Sequence, residues 1–420
     1  MSGLGSIPGL ERIESLLREM GDPQQGLQCL HIAGTNGKGS TSLMIAEILI
    51  ASGYRVGRFT SPHLHSYLER FTINGQEISE PDFWSGLEEV AGHTQVMLQR
   101  GEAHPTEFEV LTAIAFRYFQ QQGVDIVVLE VGMGGSYDST NVIIPLLSVI
   151  TGVDFDHTAY LGTSLAEIAG NKAGIIKTGV PVVVGQMGEE AWGAISRRAH
   201  ALQAPLHRSS SIKIDLVEKA DLDGQLLDIA GCGLQMSGVR LSLGGNYQRA
   251  NLAVALTALQ LMRGRGYRVE EASIRVALAR LIMPGRFEVI CRHPLVILDA
   301  AHNPQGARAL ADSLETLLPG RSKVLVLGLV DDKERDEIIR TLGSNTRAAI
   351  VTRPQGLRGE NWLEVLARWQ EIFPDIEVSA QVSIPEAVNA GLALLAGKAF
   401  LLITGSFYVL DQARMVFINN

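Results

Sequence analysis

His31–Thr41 reads HIAGTNGKGST. Before it, Gln28–Ile32 reads as a short buried strand. After it, Ser40–Ser52 carries Leu43, Met44, Ile45, Ala46, Ile48, Leu49 and Ile50, too apolar on every side for a surface helix. Between strand and helix lie Gly34, Thr35, Asn36, Gly37, Lys38, Gly39 and Ser40. Glycines let the backbone curl so that successive N–H groups face one anion, and a helix N-terminus adds partial positive charge. Lys38 supplies a full charge for terminal phosphates, and Ser40 or Thr41 a hydroxyl for a metal ion. The stretch predicts a cradle for a nucleoside triphosphate. It departs from the common phosphate loop: Ile32 stands at the first glycine position, and Gly39 separates Lys38 from Ser40. The same residues could also form a glycine-rich turn with a solvated lysine.

The chain has 420 residues, long enough that two domains are the better expectation. Hydrophobic residues make up 46% and charged residues 19%, which suits large cores and excludes a disordered chain. A net charge of −9 argues against nucleic acid or an acidic membrane as partner. Cys29, Cys232 and Cys291 are widely spaced, in apolar context and without metal-ligand spacing; they are expected to be buried thiols in a reducing compartment. The N-terminus lacks a basic region before a long apolar core, and no run reaches the ~20 residues of a membrane span. A cytoplasmic protein without a membrane or nucleic-acid partner is expected, as a monomer.

Strand-like and helix-like segments alternate along the chain, predicting a mostly parallel α/β sheet covered on both faces. Arg55–Thr60, Asp125–Glu130, Leu146–Thr151 and Pro181–Gly185 read as strands. Glu107–Gln120 reads as a helix with Phe108, Leu111, Ala115, Tyr118 and Phe119 on one side; Asn251–Met262 and Glu270–Leu281 are further helices. Ile212–Leu243, broken by glycines, suggests a small antiparallel sheet. Met283-Pro284-Gly285-Arg286 interrupts the pattern, so a boundary is expected there, giving domains 1–284 and 285–420. The second series, Leu295–Asp299, Lys323–Gly328, Ala348–Thr352 and Phe400–Thr404, predicts a smaller Rossmann-like α/β domain.

Ligands in open α/β sheets collect at the C-terminal strand ends. Ser61, Glu130 and His157 all fall there, and beside a phosphate cradle they could hold a divalent cation. Asp299 ends LVILDA in the second series and His302 follows in AHNP, and Asp299 could equally cap the following helix.

The segments HIAGTNGKGST, TSPHL, LERFTING, PTEFEVLTAIAF, LEVGMGG, DSTNV, DHTAYLG, NKAGIIK, PGRFE, LDAAHNP and TGSFY, in that order, resemble the folylpolyglutamate synthase and dihydrofolate synthase family, a branch of the Mur-type ATP-dependent amide ligases. The resemblance implies a phosphate-loop ATPase domain followed by the Rossmann-like domain. It implies amide formation between a pteroyl carboxylate and L-glutamate, driven by ATP through an acyl phosphate. Gly34–Ser40 would hold ATP with Lys38 on its outer phosphates, joined by Asn251, Arg286, Asp299 and His302. Ser61, Glu130 and His157 match magnesium ligands, for two ions, and Lys172 matches a lysine that is carbamylated in the family. Lys38, Lys172 and His157 would carry catalysis. Thr106, Glu107, Phe108, Glu109, Tyr137, Asp138 and Ser139 match the pterin or folate pocket, although Phe108 could equally be core. Ser136 and Asn171 depart from the family's usual Arg and Glu. The pairing of PTEFE with Asp138 resembles members that act on dihydropteroate as well as folate. A Mur-type ligase acting on a cell-wall precursor is the alternative; a GTP switch is disfavoured because Gly174 stands where NKAG would need an aspartate to read guanine.

Overall fold

The computed structural model describes residues 8–331, 333–356 and 359–418. The first sheet contains β1 (Cys29–Ala33), β2 (Val56–Phe59), β3 (Phe71–Ile73), β4 (Gln76–Glu77), β5 (Ile126–Glu130), β6 (Leu147–Ile150), β7 (Val182–Val184) and β8 (Leu206–Arg208). Its order is β4-β3-β2-β5-β1-β6-β7-β8. The strands β2, β5, β1, β6, β7 and β8 run parallel, and β3 and β4 close one edge antiparallel.

Side chains alternate across a strand, and each strand of this sheet therefore feeds two cores. Leu30 and Ile32 of β1 join Val128, Val149 and the phosphate-loop helix Lys38–Ala51 on one face. Cys29 joins Phe59, Val127, Leu129 and the helix Glu107–Gln121 on the other. Each such aliphatic side chain, removed from water, contributes about 1.5–3 kcal/mol. The phosphate-loop helix is buried on nearly every side because three further elements enclose it: the helices Gln248–Gly264 and Glu271–Leu278, and a small antiparallel sheet. That sheet is β9 (Lys213–Leu216), β10 (Gln225–Gly231) and β11 (Leu234–Leu241), ordered β11-β10-β9.

The third sheet contains β12 (Glu288–Arg292), β13 (Leu295–Asp299), β14 (Lys323–Leu327), β15 (Thr346–Thr352), β16 (Glu377–Gln381) and β17 (Phe400–Thr404), ordered β12-β13-β17-β14-β15-β16. All its pairings are parallel except that of β12 with β13. Among the described residues no helix is long and apolar enough to cross a membrane.

Several details differ from the sequence reading. The last helix before the boundary stops at Leu278, short of Leu281. The helix Glu107–Gln121 buries Val110, Ala113, Ile114 and Phe116 besides the expected stripe, because it is covered on several sides, while Phe108 and Tyr118 are half-buried. The edge strands β4, β8, β12 and β16, and the short β3 beside β4, lack continuous apolar runs. Only Cys29 is a buried thiol: Cys232 is exposed in the turn joining β10 to β11, and Cys291 is half-buried on the edge strand β12.

Candidate active site

A cavity of about 670 Å³ opens between the C-terminal ends of the first and third sheets. The phosphate loop forms its floor. Gly37 has φ +83°, and a Cβ there would lie 2.3 Å from Asn251 Oδ1, so both conformation and space demand glycine. Gly37 precedes the helix at Lys38 and has no side chain to cap it, leaving first-turn N–H groups for an anion. Neighbouring backbone holds the loop rigid: Thr35 N–H donates to Gly152 O at 2.9 Å, and the Thr151 hydroxyl to Asn36 O at 2.6 Å. Lys38 Nζ donates to Gly34 O at 3.1 Å and Thr35 O at 3.4 Å, folded over its own loop.

Above the loop, Ser61, Glu130 and His157 line the same cavity. Glu130 Oε2 is buried and accepts no hydrogen bond among the described residues. Burial pushes the Glu130 pKa up to about 6, against the pull of Lys38, Arg286 and Arg58. A buried carboxylate oxygen without a donor, facing a phosphate cradle, fits a divalent cation. No group of three or more His, Cys, Asp and Glu side chains stands close enough to hold a metal alone among the described residues. The remaining ligands would therefore come from the Ser61 hydroxyl, phosphate oxygens and water. His157 adopts φ +50° and directs Nε2 toward Asp156 Oδ1 at 3.9 Å.

Lys172 ends the helix Leu165–Lys172 and is 2% exposed. Burial, reinforced by the charge of Lys38, lowers its pKa to about 7, so much of the amine is neutral near neutral pH.

From the third sheet come Arg286, His302 and Lys333. His302 and Lys333 converge on Asp156, which follows β6. Lys333 pairs with Asp156 Oδ1, Asn303 Nδ2 donates to its Oδ2 at 3.0 Å, and His302 Nε2 lies 3.5 Å from Oδ2. Burial alone would raise the Asp156 pKa, but His302, Lys333 and His157 hold it well below the usual carboxylate range. Asn303 also exchanges hydrogen bonds with Asn36 of the phosphate loop, at 3.1 Å in each direction. The sequence reading missed Lys333, whose only signal was a lone cation after β14.

Three expected nucleotide contacts stand off the cavity wall. Ser40 is buried with its hydroxyl on Met283 Sδ at 3.3 Å, and Asn251 packs behind Gly37. Asp299 is saturated by the Tyr247 hydroxyl at 2.9 Å and by the N–H groups of Phe287 and Ala301 at 2.8 Å each. It shapes the turn that carries Arg286, whose guanidinium lies 4.8 Å from the centre of the Phe407 ring.

The opposite wall holds Thr106, Glu107, Phe108, Glu109, Tyr137, Asp138 and Ser139. Two of these carboxylates are already engaged. Glu109 closes a capping box with Thr106 and pairs with Arg12 at 3.0 Å. Asp138 accepts from Met133 N–H at 2.9 Å and Thr140 N–H at 3.0 Å. The free surface is aromatic and polar: Tyr137 is 60% exposed, Phe108 stacks on Phe59 at 5.8 Å, and Glu107 accepts from the Tyr67 hydroxyl at 2.8 Å. Tyr160 and Arg70 line the wall too, without a signal in the sequence reading. Ser136, the departure from the family's arginine, donates to Asn171 O at 2.9 Å.

Comparison with known proteins accounts for both halves of the chain. Residues 32–259 match the Mur ligase middle domain, and residues 285–407 match the Mur ligase glutamate ligase domain. A dihydrofolate synthase/folylpolyglutamate synthase of Mycobacterium tuberculosis is 34% identical over 98% of this chain and 90% of its own. Its Escherichia coli counterpart is 33% identical over 97% and 91%. The structure of the M. tuberculosis folylpolyglutamate synthase complexed with ADP and AMPPCP superposes with a TM-score of 0.91 at 32% identity, covering 98% of this chain and 96% of that one. The E. coli protein in complex with DHPP and ADP gives 0.85 at 30%, covering 99% and 94%. The chain belongs to the Mur ligase family, within its folylpolyglutamate synthase/dihydrofolate synthase branch.

Proposed function

We propose that this ligase adds L-glutamate to a folate, and also to dihydropteroate, at the expense of ATP. The observation that carries the reading is the convergence of a phosphate loop, a buried carboxylate with one unpaired oxygen, and Arg286, His302 and Lys333 on one cavity that also has an aromatic wall. Residues 1–284 and 285–420 would be the two domains that meet there.

A carboxylate is a poor acyl donor because oxide would have to leave. Its oxygen attacks the γ-phosphorus of ATP, ADP departs, and an acyl phosphate forms. The glutamate amine then attacks the acyl carbon, phosphate is expelled, and the nitrogen loses its proton as the amide forms. Phosphoryl transfer depends on positioning and charge neutralisation. Lys38 would swing from Gly34 O and Thr35 O onto the outer phosphates, and the first-turn N–H groups of Lys38–Ser40 would bind oxygens beside it. Ser61, Glu130 and His157 would hold Mg²⁺, which when bound neutralises phosphate charge. Arg286 would face the nucleotide from the third sheet, with Asn251 and Asp299 supporting the loop and turn from behind. Lys333 would supply positive charge beside the developing oxyanion, with His302 next to it across Asp156. Closing the cleft around the acyl phosphate would exclude water from it.

Lys172 suits carbamylation on physical grounds. A neutral Nζ attacks CO₂ and loses a proton, giving a carbamate anion. A cation beside Lys38 and a metal would be repelled, and the modification reverses its sign. A second magnesium ion would gain a ligand in this way.

Product mass spectrometry tests the proposal. With ATP, Mg²⁺ and L-glutamate, the enzyme should add one glutamate mass to dihydropteroate and to tetrahydrofolate in separate reactions. Addition to one alone would make the enzyme monofunctional; addition to neither would overturn the reading.

A further inference from the structure

His31 sits on β1 between apolar neighbours, fully buried, three residues before the phosphate loop begins at Gly34. Its Nδ1 is buried with no partner among the described residues, and its Nε2 lies 2.8 Å from the Thr140 hydroxyl. An imidazole placed so poorly for solvation needs a compensating task. Thr140 sends both its N–H and its hydroxyl proton to Asp138 Oδ1, while Asp138 Oδ2 accepts from Met133 N–H. Burial raises the Asp138 pKa, and the converging donors from Thr140, Met133 and Gly132 pull it back, so Asp138 acts here as the acceptor. The single hydroxyl proton of Thr140 points at Asp138, so the hydroxyl oxygen must accept from His31. That assigns His31 as the neutral tautomer with its proton on Nε2. Burial, helped by the charge of Lys177, lowers the His31 pKa to about 3 and agrees with the neutral form.

We propose that His31 is a positioning residue for acceptor recognition, whose Nε2–H fixes Thr140, which fixes Asp138, which pins the Gly132–Met133 backbone on the cavity wall. Gly132 and Met133 line the cavity, whereas His31 and Thr140 do not reach it. One strand would then set both halves of the site: β1 leads directly into the cradle, and through His31 it holds the acceptor wall. This inference rests on the ligase reading, since only an acceptor substrate gives that wall a function.

Steady-state kinetics on the full-length enzyme test it, with ATP, glutamate and either pteroyl acceptor, and with thermal unfolding to confirm folding. Thr140→Val removes the hydroxyl at nearly constant volume, and His31→Phe removes the donor. Each should raise the acceptor KM about tenfold, the worth of one buried hydrogen bond, while the ATP KM stays within about twofold. His31→Gln places an N–H near the position of Nε2 and Thr140→Ser keeps the hydroxyl; both should restore most of the lost affinity. The double variant His31→Phe/Thr140→Val should be no worse than either single one. An unchanged acceptor KM, a parallel rise in both KM values, or fully additive losses would overturn the relay. Failure of the unaltered enzyme to use either acceptor would overturn the ligase reading, and this inference with it.

Discussion

The phosphate loop of the first sheet meets the cavity with backbone, the connections of the third sheet with side-chain charge. The cradle at Gly34–Ser40 is one contiguous loop whose N–H groups, glycine conformation and lysine come from adjacent residues. Opposite it, Arg286, His302 and Lys333 arrive from separate connections, and His302 and Lys333 are organised by Asp156, an acid from the first sheet. A backbone cradle is fixed by the fold of its own strand and helix. A charge cluster exists only when two sheets are docked. The first should therefore fail in chemistry when altered, and the second in stability and closure.

Lys38→Ala should break the comparison most sharply, lowering turnover by about 10³-fold or more through lost charge on the transferring phosphoryl group. ADP release measures it, and the thermal unfolding midpoint should hardly move. Near-normal turnover would remove the cradle from the mechanism.

Lys172→Ala comes next, with a loss of about 10²-fold that added short carboxylic acids should partly restore. Intact mass should show the unaltered active enzyme carrying a carbamate. The same lysine has a stability signature. Its folded pKa, about 7, lies below its ordinary 10.5, so between these values the unfolded chain binds a proton that the folded chain does not. Stability should therefore rise with pH across that window in CO₂-free buffer and be flat below it, and Lys172→Met should abolish the rise. Urea unfolding at several pH values checks the sign.

Lys333→Met should destabilise by about 2 kcal/mol, because Asp156 loses a buried cation but keeps Asn303 and His302. Arg308→Ala should be the mildest change. Arg308 is half-exposed and pairs with Asp154 and Glu337 near the solvent, so its removal should cost less than about 0.5 kcal/mol. A larger loss there would mean that surface charge, as well as the buried cluster, joins the two sheets.

The same contrast explains what the sequence disclosed. The loop, its helix and the parallel strands were legible because apolar runs and a glycine-lysine motif are local patterns. Ser61, Glu130 and His157 could be grouped because each ends or follows a parallel strand. Lys333 and Asp156 were not grouped, since no local pattern records that a loop after β14 docks on a loop after β6. Asp138 and Glu109 were placed in the substrate pocket by resemblance to the family; a sequence does not reveal that backbone N–H groups and Arg12 already engage them. The Asn74-Gly75 pair did carry a hairpin signal for β3 and β4, with both residues at positive φ, and it went unread.

The helix that begins at Lys38 has no solvent-facing stripe, and this sets how the enzyme dies. Its amide protons from Thr41 to Leu49 can meet water only when the surrounding core opens, so they should exchange with deuterium at the slow, global rate. Mild denaturant should accordingly loosen the charge cluster first and leave nucleotide binding intact until the whole domain melts.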